Sequence, residues 1–229
     1  MTLAFADELR QCSIEIWQSI LNHRFIEELS NNILPINKFL FYLKQDHYFL
    51  EEFSKFLQSA KQKAINKQMN QWLDRLYIST VHFEMEMQRQ MLRSIEPLSS
   101  LRPLTASSHH HSDNTTIIPC RTTLDYTAYL RHVSSSGTFS EIVSVMAPCP
   151  WTYLEIAQQL SSSIHNEVYS NWIKFYSSEE SCKQVDEIKQ ILNMLGQTEN
   201  EESKNMMKNH FANACKFELL FWEMAYNLH

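Results

Sequence analysis

The sequence predicts an all-α protein, on two observations. First, its 229 residues include only 2 glycines and 6 prolines, too few for the many tight turns of an all-β protein. Second, Met, Leu, Lys, Gln and Glu are plentiful, and long stretches repeat apolar residues with the helical period. The chain is long enough to bury one large core, and no internal repeat or linker divides it. We therefore expect a single domain over residues 1–229.

Three helices are predicted in the first half of the chain. The first spans residues 5–29, where apolar residues recur on one face. Pro35 is expected to open the second, which runs to about Lys63, because proline is tolerated in the first turn of a helix. The third covers residues 65–95. Residues 96–119, rich in Ser, Thr, Pro and His, are predicted to form an irregular loop between two helical halves that pack together.

The helical pattern resumes at about Thr122 and is predicted to end at about Tyr226. Helix starts between these points are indicated by capping boxes, in which Ser or Thr is followed three residues later by Glu. Two of them come just after a glycine, which is typical of a preceding helix end. The predicted starts are Thr138, Ser177 and Thr198, and the glycines are Gly137 and Gly196.

Composition excludes several classes of function. The net charge is −6 and no basic cluster occurs, so nucleic-acid binding is not expected. Five cysteines, odd in number, scattered and without CxxC spacing, favour a reduced cytoplasmic protein over a disulfide framework or a structural zinc site. We expect neither a signal peptide nor a membrane span. The run His109–His111 is interpreted as solvated loop residues rather than metal ligands.

The segment Val145–Tyr153 contains the first candidate site residue, because Cys149 stands between two prolines inside a helical pattern. An unbroken helix there would be costly, so we expect one helix to end near Ala147 and the next to hold Pro150 in its first turn. Cys149 would then lie at a helix N-terminus, which favours the thiolate and hence a nucleophile. Tyr153, four residues on, should share its face. The alternative is that Cys149 is a small buried filler at a kink.

Two acids interrupt apolar stripes with helical spacing. Asp46 lies in the middle of the stripe in FLFYLKQDHYFLEEF, and Glu218 in the middle of the stripe in HFANACKFELLFWEMAY. Burying an unpaired carboxylate costs several kcal/mol, so each should be paired, protonated or in a polar pocket. An acid in apolar surroundings has a raised pKa, which suits a general acid. The alternative for each is a structural hydrogen bond inside the bundle.

Tyrosines near these positions are candidate binding residues. Phenols inside a helical bundle offer a flat stacking surface and a hydrogen-bonding tip, which together suit a small planar heteroaromatic ligand. Each one singly is as well explained as ordinary core. The three are Tyr126, Tyr153 and Tyr176.

Six strings occur in a familiar order and spacing. They are LPINKFLFYL, QDHYFLEEF, YTAYL, APCPWTYLEIAQQL, NWIKFYSSEE and FELLFWEMAY. Over essentially the whole chain this sequence resembles the TenA family of thiaminase II, or aminopyrimidine aminohydrolases, in its cysteine-containing branch. The resemblance implies a haem-oxygenase-like helical bundle, a homotetramer, and no metal or cofactor.

The resemblance also implies an activity. It is hydrolysis of 4-amino-5-aminomethyl-2-methylpyrimidine to the hydroxymethyl pyrimidine in thiamin salvage, with thiamin as a further substrate. Cys149 would add to the pyrimidine ring, Asp46 would hold the aminopyrimidine edge, and Glu218 would act as acid and base for the leaving group and the water. Among the binding residues, Tyr153 and Tyr176 would position Glu218 and the cysteine region, and Tyr126 would line the pocket.

Some positions depart from the family pattern. Pro150 stands where an aromatic residue is expected, and Gln88, one turn after Glu84, stands where a histidine is expected. Phe49 replaces a tyrosine and, as a binding residue, keeps the stacking face without the hydroxyl. These differences bear on substrate preference.

Two other functions are consistent with the resemblance. One is a non-catalytic pyrimidine-binding or regulatory protein, although such a protein needs neither a nucleophile nor an acid, and the chain has no basic helix to read a groove. The other is the cofactor-dependent oxidase chemistry of the pyrroloquinoline quinone biosynthesis protein C, whose branch lacks the cysteine string. Fold alone does not decide among the three.

Overall fold

A computed structural model describes residues 3–99, 117–160 and 166–229 of the chain. Within these ranges the protein consists of helices only, as the composition predicts, and it contains no strand. Twelve α-helices and one π-helical segment follow one another. They are α1 (Phe5–Cys12), α2 (Ile14–Leu21), α3 (Arg24–Ser30), α4 (Ile36–Lys61), α5 (Lys67–Ile78), the π segment (Ser79–Glu84), α6 (Met85–Ser99), α7 (Arg121–Ser136), α8 (Phe139–Met146), α9 (Pro148–Leu160), α10 (Glu167–Tyr176), α11 (Glu179–Thr198) and α12 (Glu201–Asn227).

The predicted first helix is in fact three short helices. The backbone leaves the helical region at Ser13 (φ −112°, ψ 16°). It becomes extended at His23 (φ −62°, ψ 143°), whose Nδ1 accepts a hydrogen bond from the Phe25 amide at 3.1 Å and so caps α3. Histidine is not among the residues that usually cap helices. The apolar periodicity of the sequence continues across both breaks, so it did not reveal them.

The second predicted helix is confirmed as α4, which begins directly after Pro35. The third is α5, the π segment and α6 in succession, and α6 continues to Ser99. The predicted start of the loop at residue 96 is thus wrong. No glycine or capping residue directly follows Ile95, so the sequence contains no signal that would end the helix there. Residues 117–120 lack helical structure as expected, whereas His109–His111 lie outside the described residues.

Helix caps in the second half agree with one of the three capping boxes. The Thr138 hydroxyl accepts a bond from the Glu141 amide at 3.3 Å and starts α8, and Gly137 ends α7 as predicted. The other two starts are wrong. Ser178, one residue later than Ser177, caps α11. Asn200 rather than Thr198 caps α12, because its carboxamide oxygen reaches the Ser203 amide at 2.9 Å.

Gly196 does not end a helix, contrary to the prediction. It lies buried inside α11, where Phe5 of α1 packs directly on it. A Cβ atom at this position would lie 2.3 Å from Phe5 Cγ, well inside van der Waals contact. The glycine is required by this close approach of two helices rather than by a turn.

The core lies around α12, which packs against α1, α2, α3, α4, α7, α8 and α9. Its apolar interior is built largely from aromatic rings, with Tyr42 and Trp222 stacked at 5.1 Å. No helix in the described ranges is long and apolar enough to cross a membrane. All five tryptophans of the chain are almost fully buried: Trp17, Trp72, Trp151, Trp172 and Trp222.

We expect Gly196→Ala to lower the free energy of unfolding by about 1–2 kcal/mol. Alanine improves intrinsic helix propensity by about 1 kcal/mol, but forcing Phe5 aside costs typically about 1–3 kcal/mol or more at such short contacts. Urea denaturation followed by circular dichroism measures the difference. Met194→Ala, at an exposed position of the same helix, should be nearly neutral. A Gly196→Ala protein as stable as the wild type would contradict the close approach.

Candidate active site

The predicted break around Cys149 is present. Only Ala147 separates α8 from α9, and Pro148, Cys149 and Pro150 form the first turn of α9. The Trp151 amide bonds back to the Ala147 carbonyl at 3.4 Å. Prolines in a first turn lack only the N–H groups that would have no helical partner there. The break therefore places a cysteine at the start of a helix that faces the bundle interior.

Cys149 opens onto a cavity of about 520 Å³ between α4, α5, the π segment, α9, α10 and α11. This volume accommodates a small ring compound. The predicted site residues Asp46, Tyr153 and Tyr176 lie on its wall, and Glu84 lies there too. The apolar lining includes Leu50, Phe53, Ile78, Met146, Phe175 and Val185.

Asp46 is held at the cavity wall by two donors. Tyr42 OH donates to Oδ2 at 3.0 Å, and Gln88 Nε2 donates to the same oxygen at 2.6 Å. Trp172 Nε1 in turn donates to the Tyr42 oxygen at 3.0 Å. Burial, followed by the nearby Glu84, raises the pKa of Asp46 well above its ordinary value. Since both bonds end on Oδ2, Oδ1 is the oxygen that a ligand in the cavity can use.

Two of these partners were missed as site residues. The sequence analysis placed Gln88 only as a departure from a family histidine. Tyr42 lies four residues before Asp46, one helical turn away, and that spacing was the available signal.

Glu218 lies behind Cys149 rather than on the cavity wall. Its side chain is 2% exposed, Tyr126 OH donates to Oε1 at 2.6 Å, and the Cys149 thiol lies beside the carboxyl group. Burial raises the pKa of Glu218 from 4.5 to about 7, although Tyr126 and Cys149 both favour the ionised form. A group with this pKa holds and releases a proton easily near neutral pH.

The expectation that the helix N-terminus favours a Cys149 thiolate is wrong. Burial first, and then the charges of Glu218, Glu84 and Asp46, raise the pKa of the thiol well above its ordinary value. Two of the first three residues of α9 are prolines, so this helix end carries fewer free N–H groups than most. The resting group is a thiol, and attack requires a base.

Glu84 is an acidic residue of the site that the sequence analysis did not include among the candidate site residues. It ends the π segment, and Tyr176 OH donates to its Oε1 at 2.7 Å. Burial raises the pKa of Glu84 to about 7. The extra residue of a π turn changes which side chains face inward. Helical periodicity in the sequence could not reveal it.

The tyrosine contacts differ from those that the resemblance implied. Tyr176 donates a hydrogen bond to Glu84 and not to Glu218. Tyr126, which was expected on the pocket wall, lies behind the wall and donates a hydrogen bond to Glu218. Phe49 is likewise behind the wall, with its ring 4.9 Å from that of Tyr126. Tyr153 stands on the wall as expected, its ring 4.9 Å from that of Tyr176.

No group of three His, Cys, Asp or Glu side chains in the described part of the chain is arranged to hold a metal ion. On or directly behind the cavity wall lie the Cys149 thiol, the carboxyl groups of Asp46, Glu84 and Glu218, and several phenols. Together they are suited to nucleophilic addition coupled to proton transfer.

The TENA/THI-4/PQQC family model matches residues 12–105 and 109–228. The chain belongs to this family. Among curated members, the aminopyrimidine aminohydrolase of Halalkalibacterium halodurans is 27% identical over 228 residues, covering 98% of this chain and 96% of its own. The aminopyrimidine aminohydrolase of Bacillus subtilis is 26% identical over 228 residues, covering 98% of this chain and 90% of its own.

Two solved structures of other proteins share the fold. A TenA homologue from Pyrococcus horikoshii superposes with a TM-score of 0.81 at 25% identity, covering 98% of this chain and 99% of its own. The haem oxygenase of Leptospira interrogans superposes with a TM-score of 0.65 at 13% identity, covering 96% and 98%. The expected haem-oxygenase-like bundle is confirmed.

We expect Glu218→Gln to weaken the dependence of the free energy of unfolding on pH, although Glu84 and Asp46 maintain part of that dependence. Because the folded-state pKa of Glu218, about 7, exceeds its ordinary 4.5, the folded protein binds this proton more tightly than the unfolded chain does. The stabilisation is complete below about pH 4.5 and is lost as pH rises through 7. Between pH 5 and pH 8, Glu218 should therefore lower the free energy of unfolding of the wild type by up to about 3 kcal/mol. The variant should lack this contribution.

Urea unfolding of both proteins at pH 5 and pH 8 measures this difference. Glu202→Gln, at an exposed position of the same helix, is the control and should follow the wild type. Parallel pH dependence in wild type and Glu218→Gln would contradict the raised pKa.

Proposed function

We propose that this protein is an aminopyrimidine aminohydrolase of thiamin salvage. It converts 4-amino-5-aminomethyl-2-methylpyrimidine to the hydroxymethyl pyrimidine and ammonia, and it also cleaves thiamin. The observation that carries the proposal is the Cys149 thiol, which lies beside the Glu218 carboxyl group and faces a cavity of ring-compound size. The curated relatives with this activity match nearly the full length of the chain.

Asp46 supplies the recognition of the pyrimidine. An aminopyrimidine edge presents an amino N–H donor beside a ring nitrogen acceptor. Asp46 Oδ1, the oxygen that Tyr42 and Gln88 leave free, can accept from the amino N–H when the carboxyl group is ionised, or donate to the ring nitrogen when it is protonated. The raised pKa of Asp46 makes the protonated form accessible. Tyr42 and Gln88 fix the rotamer, so that the ring is held in one orientation between Tyr153 and the apolar wall.

Cys149 supplies the nucleophile, and Glu218 takes its proton. As the C–S bond to the ring forms, the thiol proton passes to the adjacent Glu218 carboxylate. Electron density in the ring then expels the group on the methylene carbon, and Glu218 passes the proton to a departing amine, which leaves as ammonia. Water adds to that carbon and gives a proton to Glu218, the C–S bond breaks, and Glu218 returns this proton to the sulfur. A thiol with a raised pKa is a good leaving group only with such a proton donor beside it.

The alternative is a pyrimidine-binding protein without catalysis. It accounts for Asp46 and the aromatic wall equally well. It does not account for a thiol and a carboxyl group side by side inside the bundle, since a binder gains nothing from them and bears their desolvation cost. The geometry therefore favours the enzyme.

We further propose the binding partner, the cellular location and the assembly of the protein. The molecule that the protein binds is a small aminopyrimidine or thiamin. Nucleic acid is not a partner, in agreement with the net charge of −6. A cytoplasmic homotetramer is the arrangement that the TenA resemblance supports, and size-exclusion chromatography with light scattering tests the assembly.

We expect Cys149→Ser to lower turnover of the aminomethyl pyrimidine by at least about 1000-fold, because a serine hydroxyl is a far weaker nucleophile than cysteine in this role. Binding of the product pyrimidine, measured by calorimetry, should change little. Release of hydroxymethyl pyrimidine, with thiamin run beside it, is the readout.

Cys182→Ser is the matched control, since this cysteine is also partly buried but lies off the cavity. It should retain wild-type turnover. Near wild-type activity in Cys149→Ser would refute the nucleophile. Pyrimidine binding without turnover in the wild type, on either substrate, would favour the non-catalytic alternative.

A further inference from the structure

Asp46 is connected, through the amide of Gln88, to a histidine that does not reach the cavity. Gln88 is fully buried on α6, and its Nε2 donates to Asp46 Oδ2 at 2.6 Å. On the other side of the amide, Gln88 Oε1 lies 3.2 Å from Nδ1 of His47. His47 follows Asp46 on α4, is 8% exposed, and is not among the residues that line the cavity. One glutamine of α6 therefore bridges two consecutive residues of α4.

The chemistry of each atom sets the direction of these hydrogen bonds. A carboxylate oxygen can only accept, so the nitrogen end of the Gln88 amide must face Asp46. Its oxygen end then faces His47, and because an amide oxygen also can only accept, Nδ1 of His47 must carry a hydrogen. On the other side of the ring, Glu51 Oε1 lies 3.9 Å from Nε2, beyond hydrogen-bond distance. The hydrogen bond to Gln88 therefore selects the form of the imidazole.

The second donor to Asp46 is directed in the same way. Trp172 Nε1 can only donate, and it donates to the Tyr42 oxygen. The Tyr42 hydroxyl hydrogen therefore points at Asp46 Oδ2. This oxygen receives two hydrogens whose directions are set by groups behind it, one by Trp172 and the other by His47. A proton on the Asp46 carboxyl group can then lie only on Oδ1, the oxygen that is available to a ligand.

We propose that His47 is a positioning residue for aminopyrimidine recognition, and that it acts only by holding the nitrogen of the Gln88 amide toward Asp46. This inference rests on the proposed aminohydrolase function, in which Asp46 binds the pyrimidine. Without a hydrogen on Nδ1, the buried Gln88 oxygen would have no donor, which is costly. Turning the amide over would place this oxygen against Asp46 Oδ2. The proton of Asp46 would then be drawn to Oδ2, and Oδ1 could no longer donate to a ring nitrogen.

The burial of His47 supports this role. Burial lowers the pKa of its imidazole, so the ring is mainly neutral at neutral pH, with its one hydrogen on Nδ1. A neutral ring in this tautomer is sufficient to hold Gln88. The positioning therefore needs no charge inside the bundle, where a further charge beside Asp46 would be costly.

The experiment compares two substitutions of similar shape at position 47. The side-chain nitrogen of asparagine takes the place of histidine Nδ1 and keeps its hydrogen, whereas leucine has a methyl group there. Calorimetry measures the Kd of the product, 4-amino-5-hydroxymethyl-2-methylpyrimidine, and kcat/KM is measured on the aminomethyl substrate. We expect His47→Leu to weaken binding by about 10-fold or more, as for a lost hydrogen bond to a charged group, and His47→Asn to stay within about 3-fold of the wild type.

Gln88→Met tests whether His47 acts through Gln88. Methionine matches the length of glutamine and has no amide, so this variant should also weaken binding by about 10-fold or more. In the Gln88→Met background, His47→Leu should add less than about 2-fold, because residues that act through one contact are not additive. A purely structural role of His47 predicts instead that the two losses multiply.

His23→Leu is the control for the loss of a buried histidine. His23 is 7% exposed, accepts a hydrogen bond at Nδ1, and lies away from the cavity. This variant should be less stable to urea than the wild type, because α3 loses its cap, yet bind the pyrimidine with unchanged Kd.

Three results would overturn the role of His47 while leaving the hydrolase intact. They are equal losses in His47→Leu and His47→Asn, no loss in His47→Leu, and losses that multiply in the double variant. A wild type that neither binds nor converts the pyrimidine would overturn the proposed function, and this inference with it.

Discussion

The packing of three carboxyl groups beside one thiol inside an apolar bundle is the constraint on which the rest of the structure depends. A buried charge without partners costs several kcal/mol, and a bundle this apolar offers few ways to meet that cost. Each acid accepts a hydrogen bond from a tyrosine: Asp46 from Tyr42, Glu218 from Tyr126 and Glu84 from Tyr176. Each also has a raised pKa, so that protonation removes part of the charge.

These pairs connect distant parts of the chain. Tyr126 and Glu218 are 92 residues apart in sequence, as are Glu84 and Tyr176, and Gln88 reaches Asp46 across 42 residues. Because the partners come from different helices, the site exists only when the bundle is fully packed. Close contacts far from the cavity, such as Phe5 on Gly196, help to set those helix positions.

The same electrostatics explain how the thiol is used. Three nearby carboxyl groups disfavour a resting thiolate at Cys149, so reactivity depends on a base at the moment of attack. The adjacent Glu218 carboxylate provides one. Uncoupled from substrate, the cysteine stays protonated and unreactive, which suits a site that opens to solvent.

The sequence by itself determined the helical class, the helix break at Cys149, and the burial of Asp46 and Glu218, because these follow from local rules: helical period, proline chemistry and the apolar neighbours of each acid. It did not determine the three-part first helix, the buried contact of Gly196, or the place of Glu84. Those depend on which helices meet and on one π turn that shifts the inward face. Only the tertiary structure decided which tyrosine holds which acid, because hydrogen-bond partners so far apart in sequence are chosen by packing and not by local spacing.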